Sequence, residues 1–156
     1  MIHVDIPGYG KFDLEHLVVD FNGTLALDGK PLERTKELLK ALAGKLTIHV
    51  ITADTFGSVT EVLRDFPCRI EILSEIDQHL QKKDYVARLG PERVVSIGNG
   101  RNDREMLKVS TLGIAVVNQE GAGIEALINA DILSRSIEEA LELLIYPKRL
   151  IATLRS

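Results

Sequence analysis

Three short polar clusters interrupt the apolar runs of this chain, and each follows directly on such a run. The first is Asp20-Phe21-Asn22-Gly23-Thr24, after Leu17-Val18-Val19. The second is Thr52-Ala53-Asp54, after the apolar run 46–51. The third is Gly98-Asn99-Gly100-Arg101-Asn102-Asp103, after the run 94–97. A carboxylate at the end of a buried strand is costly to place for packing alone, and is usually paired, metal-bound or reactive. The combination suits phosphoryl transfer. Asp20 would attack phosphorus and form an aspartyl-phosphate, a covalent strategy open to carboxylates. Backbone N–H groups of the 21–24 turn (Phe21, Gly23 and Thr24 among them) and the Thr52 hydroxyl would hold the phosphoryl oxygens. Lys82, which opens a helical stretch together with Lys83, would neutralise charge on the same group. Mg²⁺ would bridge Asp20 and the phosphate, with further oxygen ligands from the protein. Glycines at 23, 98 and 100 permit turns that a side chain would obstruct.

Each cluster alone has a plainer explanation. An aspartate can cap a helix or stabilise a turn. A threonine after a strand is common, and a lysine pair on a helix is usually a solvated face. Gly98 to Asp103 is not a dinucleotide-binding loop, because it lacks the third glycine and follows a late strand rather than the first. Co-occurrence of the clusters, in this order and each at a strand end, is what favours chemistry.

The elements that must position these residues alternate along the chain. Residues 3–6, a Pro7-Gly8 turn and residues 12–14 read as a hairpin over 1–14. Strands are predicted at 16–20, 46–51, 69–73, 94–97, 112–117 and 131–133. Helices are predicted at 31–43, with Pro31 in the first turn, and along the 59, 62, 63, 66 stripe. Others fall at 79–89, 103–108, 123–128 and 137–145, with a tail helix at 148–154, so that 136–156 is helical. This alternation implies an α/β fold, a doubly wound Rossmann-like parallel sheet with helices on both faces. In such a sheet the ligand site lies at the carboxyl ends of the strands, where the three clusters fall. With no linker, repeat or low-complexity stretch in view, one domain over 1–156 is expected.

Bulk properties exclude several classes. Net charge is −4, which argues against a general binder of nucleic acid or anionic membranes. No apolar stretch approaches the length of a bilayer span, and the first residues lack the basic flank and apolar core of a signal peptide. Cys68 is the single cysteine, so an internal disulfide is impossible and a cytoplasmic location is expected. The four histidines show no zinc spacing and read as ordinary surface or strand residues.

The ordered set resembles the haloacid dehalogenase (HAD) phosphohydrolases over roughly residues 15–134. Asp20 to Leu25 is similar to motif I, Thr52 to motif II, and Lys82 with Val86 and Leu89 to motif III. Gly98 to Asp103 with Met106-Leu107 is similar to motif IV. The wording of the motifs is nearest to the phosphorylation domain of P-type ATPases, without a membrane segment and without the lysine that would stand at Phe21. The resemblance implies a Mg²⁺-dependent phosphohydrolase with Asp20 as nucleophile and Asn22, Thr52 and Lys82 in the catalytic set. It implies phosphate contacts from Thr52-Ala53 and Lys82, and metal contacts from Asp20, the Asn22 carbonyl, Asn99 and Asp103. Two departures stand out. Asn22 replaces an acid that can exchange a proton with the leaving group or with water, and Asn99 replaces a carboxylate ligand. A weak or inactive phosphate-binding regulatory protein is therefore the alternative. The intervals from Asp20 to Thr52 and from Thr52 to Lys82 leave no room for a cap domain. Capless relatives are closed by oligomerisation or act on large substrates, so the expected partners are a phosphorylated small molecule or phosphoprotein and a possible homo-oligomer.

Overall fold

The computed structural model describes residues 1–54 and 57–156. Its strands are β1 (Ile2–Ile6), β2 (Gly10–Leu14), β3 (His16–Asp20), β4 (Ala26–Leu27), β5 (Lys30–Pro31), β6 (Thr47–Thr52), β7 (Arg69–Ile72), β8 (Val94–Gly98), β9 (Leu112–Val116) and β10 (Ile132–Ser134). Its helices are α1 (Thr35–Ala43), α2 (Ser58–Val62), α3 (Gln78–Leu89), α4 (Arg104–Val109), α5 (Ile124–Ile128), α6 (Ile137–Ile145) and α7 (Pro147–Leu154). Six strands form one parallel sheet in the order β10-β9-β8-β3-β6-β7. The chain leaves β3 toward β6 and β7, then returns to build β8, β9 and β10 on the other side. Strand order therefore reverses at β3, and Asp20 stands at its carboxyl end, where a doubly wound sheet opens its ligand crevice.

Alternation along the strands splits the core in two. Leu17 and Val19 of β3, Ile48 and Val50 of β6, and Val95 and Ile97 of β8 face the larger cluster, which holds the buried leucines of α1 and α6. Val18, Ile51 and Val94 face the smaller one, with Val86 of α3, Met106 and Leu107 of α4, and Ala126 of α5. Ser96 of β8 and His49 of β6 are buried polar residues on that side, Ser96 donating to the Met106 carbonyl. His49 is buried, 2.8 Å from the Tyr85 hydroxyl and 3.1 Å from His16. Burial first, then the neighbouring His16 and Arg69, lowers its pKa to about 4, so the ring packs neutral.

Two helix boundaries differ from expectation. Pro31 does not open α1. It lies in β5, paired with Ala26 of β4. The connecting Asp28-Gly29 has φ of 50° and 76°, the double left-handed turn that suits two-residue hairpins. The chain then turns again through Leu32, whose carbonyl accepts the Thr35 N–H and hydroxyl, before α1 begins. The stripe from Val59 to Phe66 also overruns its helix. α2 ends at Val62, and Val62 itself is exposed, while Val59 and Leu63 are buried. The following Pro67 cannot continue a helix. Elsewhere the expected elements agree to within one or two residues.

Between Asp20 and Thr52 the chain holds only the β4–β5 hairpin, α1 and β6, and between Thr52 and Lys82 the described elements are α2, β7 and the start of α3. Among the described residues no helix is long and apolar enough to cross a membrane.

α7 is bound to the body. Its Leu150 is fully buried in the cluster that includes Ile2, Val4 and Ile6 of β1. Leu150→Ala should therefore cost about 2–4 kcal/mol in urea unfolding, the ordinary range for a buried leucine truncated to alanine. A loss below about 0.5 kcal/mol would mean that α7 merely rests on the surface.

Candidate active site

β3 delivers Asp20 into a nearly water-free position beside the end of β8. Across from it, α3 carries Lys82, whose side chain is 1% exposed. Lys82 Nζ donates to Asp20 Oδ1 and to Asp103 Oδ1, at 2.6 Å each. Lys83, one position on, is half exposed and lies 3.9 Å from Glu105. Helical phase thus brings one lysine of the pair to the site and turns the other away.

Asp103 is held on all sides. Its second oxygen, Oδ2, accepts the N–H groups of Asn99 (3.0 Å) and Gly100 (2.9 Å). It packs against Gly98, where an added Cβ would stand 2.5–2.6 Å from the Asp103 side chain. The glycine at the end of β8 is what lets a carboxylate pack beneath the strand end.

The turn after Asp20 is closed by its own backbone. Phe21 N–H donates to Ile51, Gly23 N–H to Ala26 and Thr24 N–H to Phe21, at 3.2, 2.8 and 3.3 Å. The amides of Phe21, Gly23 and Thr24, expected to face a phosphoryl group, are thus already engaged. Among the described residues the Asn22 N–H and carbonyl have no partner. Phe21 is buried, with its ring in the core rather than in the site. Thr24 is buried too, its hydroxyl 3.2 Å from Asp20 Oδ2 and 3.1 Å from Asn99 Oδ1, and it can donate its proton to either.

Thr52 ends β6 beside β3. Its hydroxyl oxygen is buried and, among the described residues, has no hydrogen-bond partner. Such an orphan is rare and calls for a reason, because an unmade buried hydrogen bond costs about 1–3 kcal/mol. Ala53 follows at the rim, and Asp54 accepts the Val59 N–H at the start of α2.

Sequence reading missed one contributor, the loop after β9. Asn118 donates to the carbonyls of Gly23 (3.2 Å) and Thr24 (2.7 Å), and the Asn99 amide donates to the Gly121 carbonyl (3.1 Å). Its only signal was position: the loop follows a strand adjacent to β8 and so opens on the same edge of the sheet.

Residues 33–139 match the haloacid dehalogenase-like hydrolase family, about two thirds of the chain. The chain belongs to this family. An uncharacterised protein of Methanocaldococcus jannaschii, MJ0073, is 36% identical over 87 residues, covering 56% of this chain and 84% of that protein. Two solved HAD structures share the fold. The 3-deoxy-D-manno-octulosonate 8-phosphate phosphatase of Moraxella catarrhalis, in complex with magnesium and phosphate ions and octulosonate, superposes with a TM-score of 0.69 at 17% identity. The match covers 91% of this chain and 94% of that one. The cobalt-bound phosphatase of the same type from Haemophilus influenzae gives 0.73 at 14% identity, over 92% and 94%.

Electrostatically, the site confines two carboxylates and one ammonium. Burial, then the charge of Asp103, raises Asp20 to about 7, against the opposing pull of Lys82 and Thr24. Burial alone would lower Lys82, but Asp103 and Asp20 outweigh it and hold its pKa above the usual lysine value. The ammonium stays charged, and the surplus negative charge falls on Asp20. The consequence for stability has a definite sign. The unfolded chain releases the Asp20 proton near 3.8, whereas the folded chain keeps it to about 7. Ionising Asp20 therefore removes stability as pH rises through that window, and the whole penalty is present above it. Asp20→Asn should be more stable than the parent at pH 8 by about 1–3 kcal/mol, with the gap closing toward pH 4. Denaturant titrations across that range will test it, and a variant no more stable than the parent at pH 8 would contradict this charge distribution.

Proposed function

We propose that this chain is a Mg²⁺-dependent phosphohydrolase that works through an aspartyl-phosphate on Asp20. The observation that carries the proposal is the buried trio of Asp20, Lys82 and Asp103 beside the orphaned hydroxyl of Thr52. A phosphoryl oxygen would supply the partner that Thr52 lacks, and the free N–H of Asn22 offers a second donor. Lys82 gives positive charge already fixed in place, so no reorganisation is needed as charge develops on the transferring group. Asp103 acts as the positioning residue for Lys82. The arrangement supports Lys82 rather than Lys83 as the phosphate ligand.

The donor set fits magnesium. Asp20 Oδ2, the unpartnered Asn22 carbonyl and Asn99 Oδ1 are hard oxygens of the kind this ion takes, whereas Asp103 has both oxygens occupied. Bound there, the ion would neutralise phosphate charge and favour the ionised form of Asp20. In the first half-reaction an Asp20 oxygen forms a bond to phosphorus as the bond to the leaving oxygen breaks. In the second, water attacks phosphorus and frees the Asp20 carboxylate. Open hollows of about 400 and 440 Å³ flank the polar loops, one lined in part by Gln78, Arg101 and Asn102, the other by Leu27, Asn118 and Gln119. Neither hollow is lined by Asp20, Thr52 or Lys82, so they border the site rather than form it. The proposed substrate, a phosphorylated small molecule or an exposed phosphorylated segment, would reach Asp20 at the uncapped strand ends.

Purified protein with Mg²⁺ should hydrolyse acetyl phosphate and para-nitrophenyl phosphate, and Asp20→Asn should abolish this. Lys82→Met should also abolish it and cost about 3–5 kcal/mol of stability, because it strands buried charge. Lys83→Met should change neither. Activity that survives Asp20→Asn in clean protein would refute the nucleophile.

Asn22 favours a second reading, a phosphoenzyme that turns over slowly or serves as a switch. A carboxamide neither protonates a leaving group nor takes a proton from water, and losing that help costs about 10²–10⁴-fold in rate. Asn22→Asp should raise turnover, more for alkyl phosphates than for acyl or para-nitrophenyl phosphates, whose leaving groups need little proton assistance. Equal rates for parent and variant on both substrate types would show that the missing acid is not what limits the protein.

A further inference from the structure

Glu120 touches neither Asp20 nor Lys82 in any hydrogen bond or ion pair among the described residues, yet it reaches the turn that follows Asp20. It sits in the loop after β9, and that loop is fastened rather than free. Asn118 bonds the Gly23 and Thr24 carbonyls, Asn99 bonds the Gly121 carbonyl, and Gly121 N–H closes the turn onto Asn118 at 2.8 Å. From this anchored turn Glu120 extends over the first polar cluster. Its Oε1 lies 3.4 Å from the Asp28 N–H, at the tip of the β4–β5 hairpin. Its Oε2 approaches Gly23 so closely that a Cβ there would stand 2.7 Å away. The same Cβ would stand 2.6 Å from Asn99 Nδ2 and 3.0 Å from Asn99 Oδ1. The Glu120 carboxylate and the Asn99 carboxamide thus converge on one point above Gly23, which explains that glycine independently of its φ of 78°.

Two features make this convergence informative. Among the described residues Glu120 forms no ion pair, although nearby Arg101 and Arg104 both pair with Glu125. The acid stands unneutralised beside a neutral amide, at a place where the donor set for a divalent cation holds only one charged ligand, Asp20. The same site contains the orphaned Thr52 hydroxyl, which independently points to a bound group.

We infer that Glu120 supplies the divalent-cation site with the negative charge that Asn99 does not carry. The charge comes from a loop rather than from the strand end. The cation is of the hard, oxygen-seeking class, Mg²⁺ or Mn²⁺. Long-range compensation of this kind needs a rigid support, and the three side-chain hydrogen bonds to the loop provide one. The inference rests on the reading of the site as a phosphohydrolase centre.

Direct Mn²⁺ binding to the full chain, followed by the electron paramagnetic resonance signal of free Mn²⁺, tests it without reference to turnover. Glu120→Gln keeps an acceptor for the Asp28 N–H and removes only the charge. It should weaken Mn²⁺ binding about tenfold, in the range for residues that tune a metal without dominating its ligation. Adding Asn99→Asp to Glu120→Gln should restore the parent affinity, because the charge returns from the other side of the same point. Affinity unchanged in Glu120→Gln, while Asp20→Asn weakens it, would overturn the role of Glu120 and leave the site intact. Parent protein that binds no Mn²⁺, or binds it regardless of Asp20→Asn, would overturn the reading of the site and this inference with it.

Discussion

Lys82 is shared by two buried carboxylates, and much of the structure serves that contact. Taking an ammonium out of water costs several kcal/mol, and only close, well-satisfied partners repay it. Asp103 meets the requirement because two backbone amides and the space left by Gly98 hold it in place for Lys82. Asp20 meets it because β3 lies between β6 and β8 and ends where the sheet reverses its order. Lys82 comes from α3, the helix packed against β8 and α4 through Val86, Met106 and Leu107. Sheet order, helix phase and the strand-end glycine must agree for three charged atoms to meet within 2.6 Å contacts.

The trio is not neutral, and the excess charge is unevenly held. Asp103 accepts three hydrogen bonds and Asp20 fewer, with burial against it, so Asp20 is the carboxylate that yields a proton-binding site near neutral pH. A group in that condition is poised: a cation beside it favours the anion, and a neutral surrounding favours the acid. Stability is given up to hold Asp20 in that condition, a pattern common at functional sites.

Much of this was legible in the sequence because the signals were short-range. Apolar runs leading into Asp20, Thr52 and Gly98 marked strand ends, and the alternation of strands with helices then placed them on one edge of a parallel sheet. Lys82 over Lys83 followed from helical phase. The errors also have local causes. Asp28-Gly29 is a strong hairpin signal, but the flanking strands have two residues each, too short for any alternation to register, so Pro31 looked like a helix start. The stripe through Phe66 matched helical spacing by chance and ignored the stop at Pro67. The state of the amides in the 21–24 turn was not legible at all, since it depends on the carbonyls of Ile51 and Ala26. Asn118 was invisible for the same reason: its contacts lie 94 and 95 residues away in the chain.

The asparagines at 22 and 99 are best understood together with the rest of the charge around Asp20. Under the function proposed above, a phosphate dianion would approach a pocket that already carries surplus negative charge, and each added carboxylate would raise that barrier while improving cation binding. Carboxylates at both positions would place four acids around one lysine. The chain instead keeps two buried acids, uses neutral oxygens at the cluster ends, and sets its next acid on an exposed loop. Charge at an exposed position is screened by water and salt, so it repels the incoming group less than a buried charge would. It can still act on a cation held nearby. Under that same proposal the arrangement gives up proton transfer at Asn22 and spreads the remaining charge outward, which would suit an uncapped site that admits phosphate.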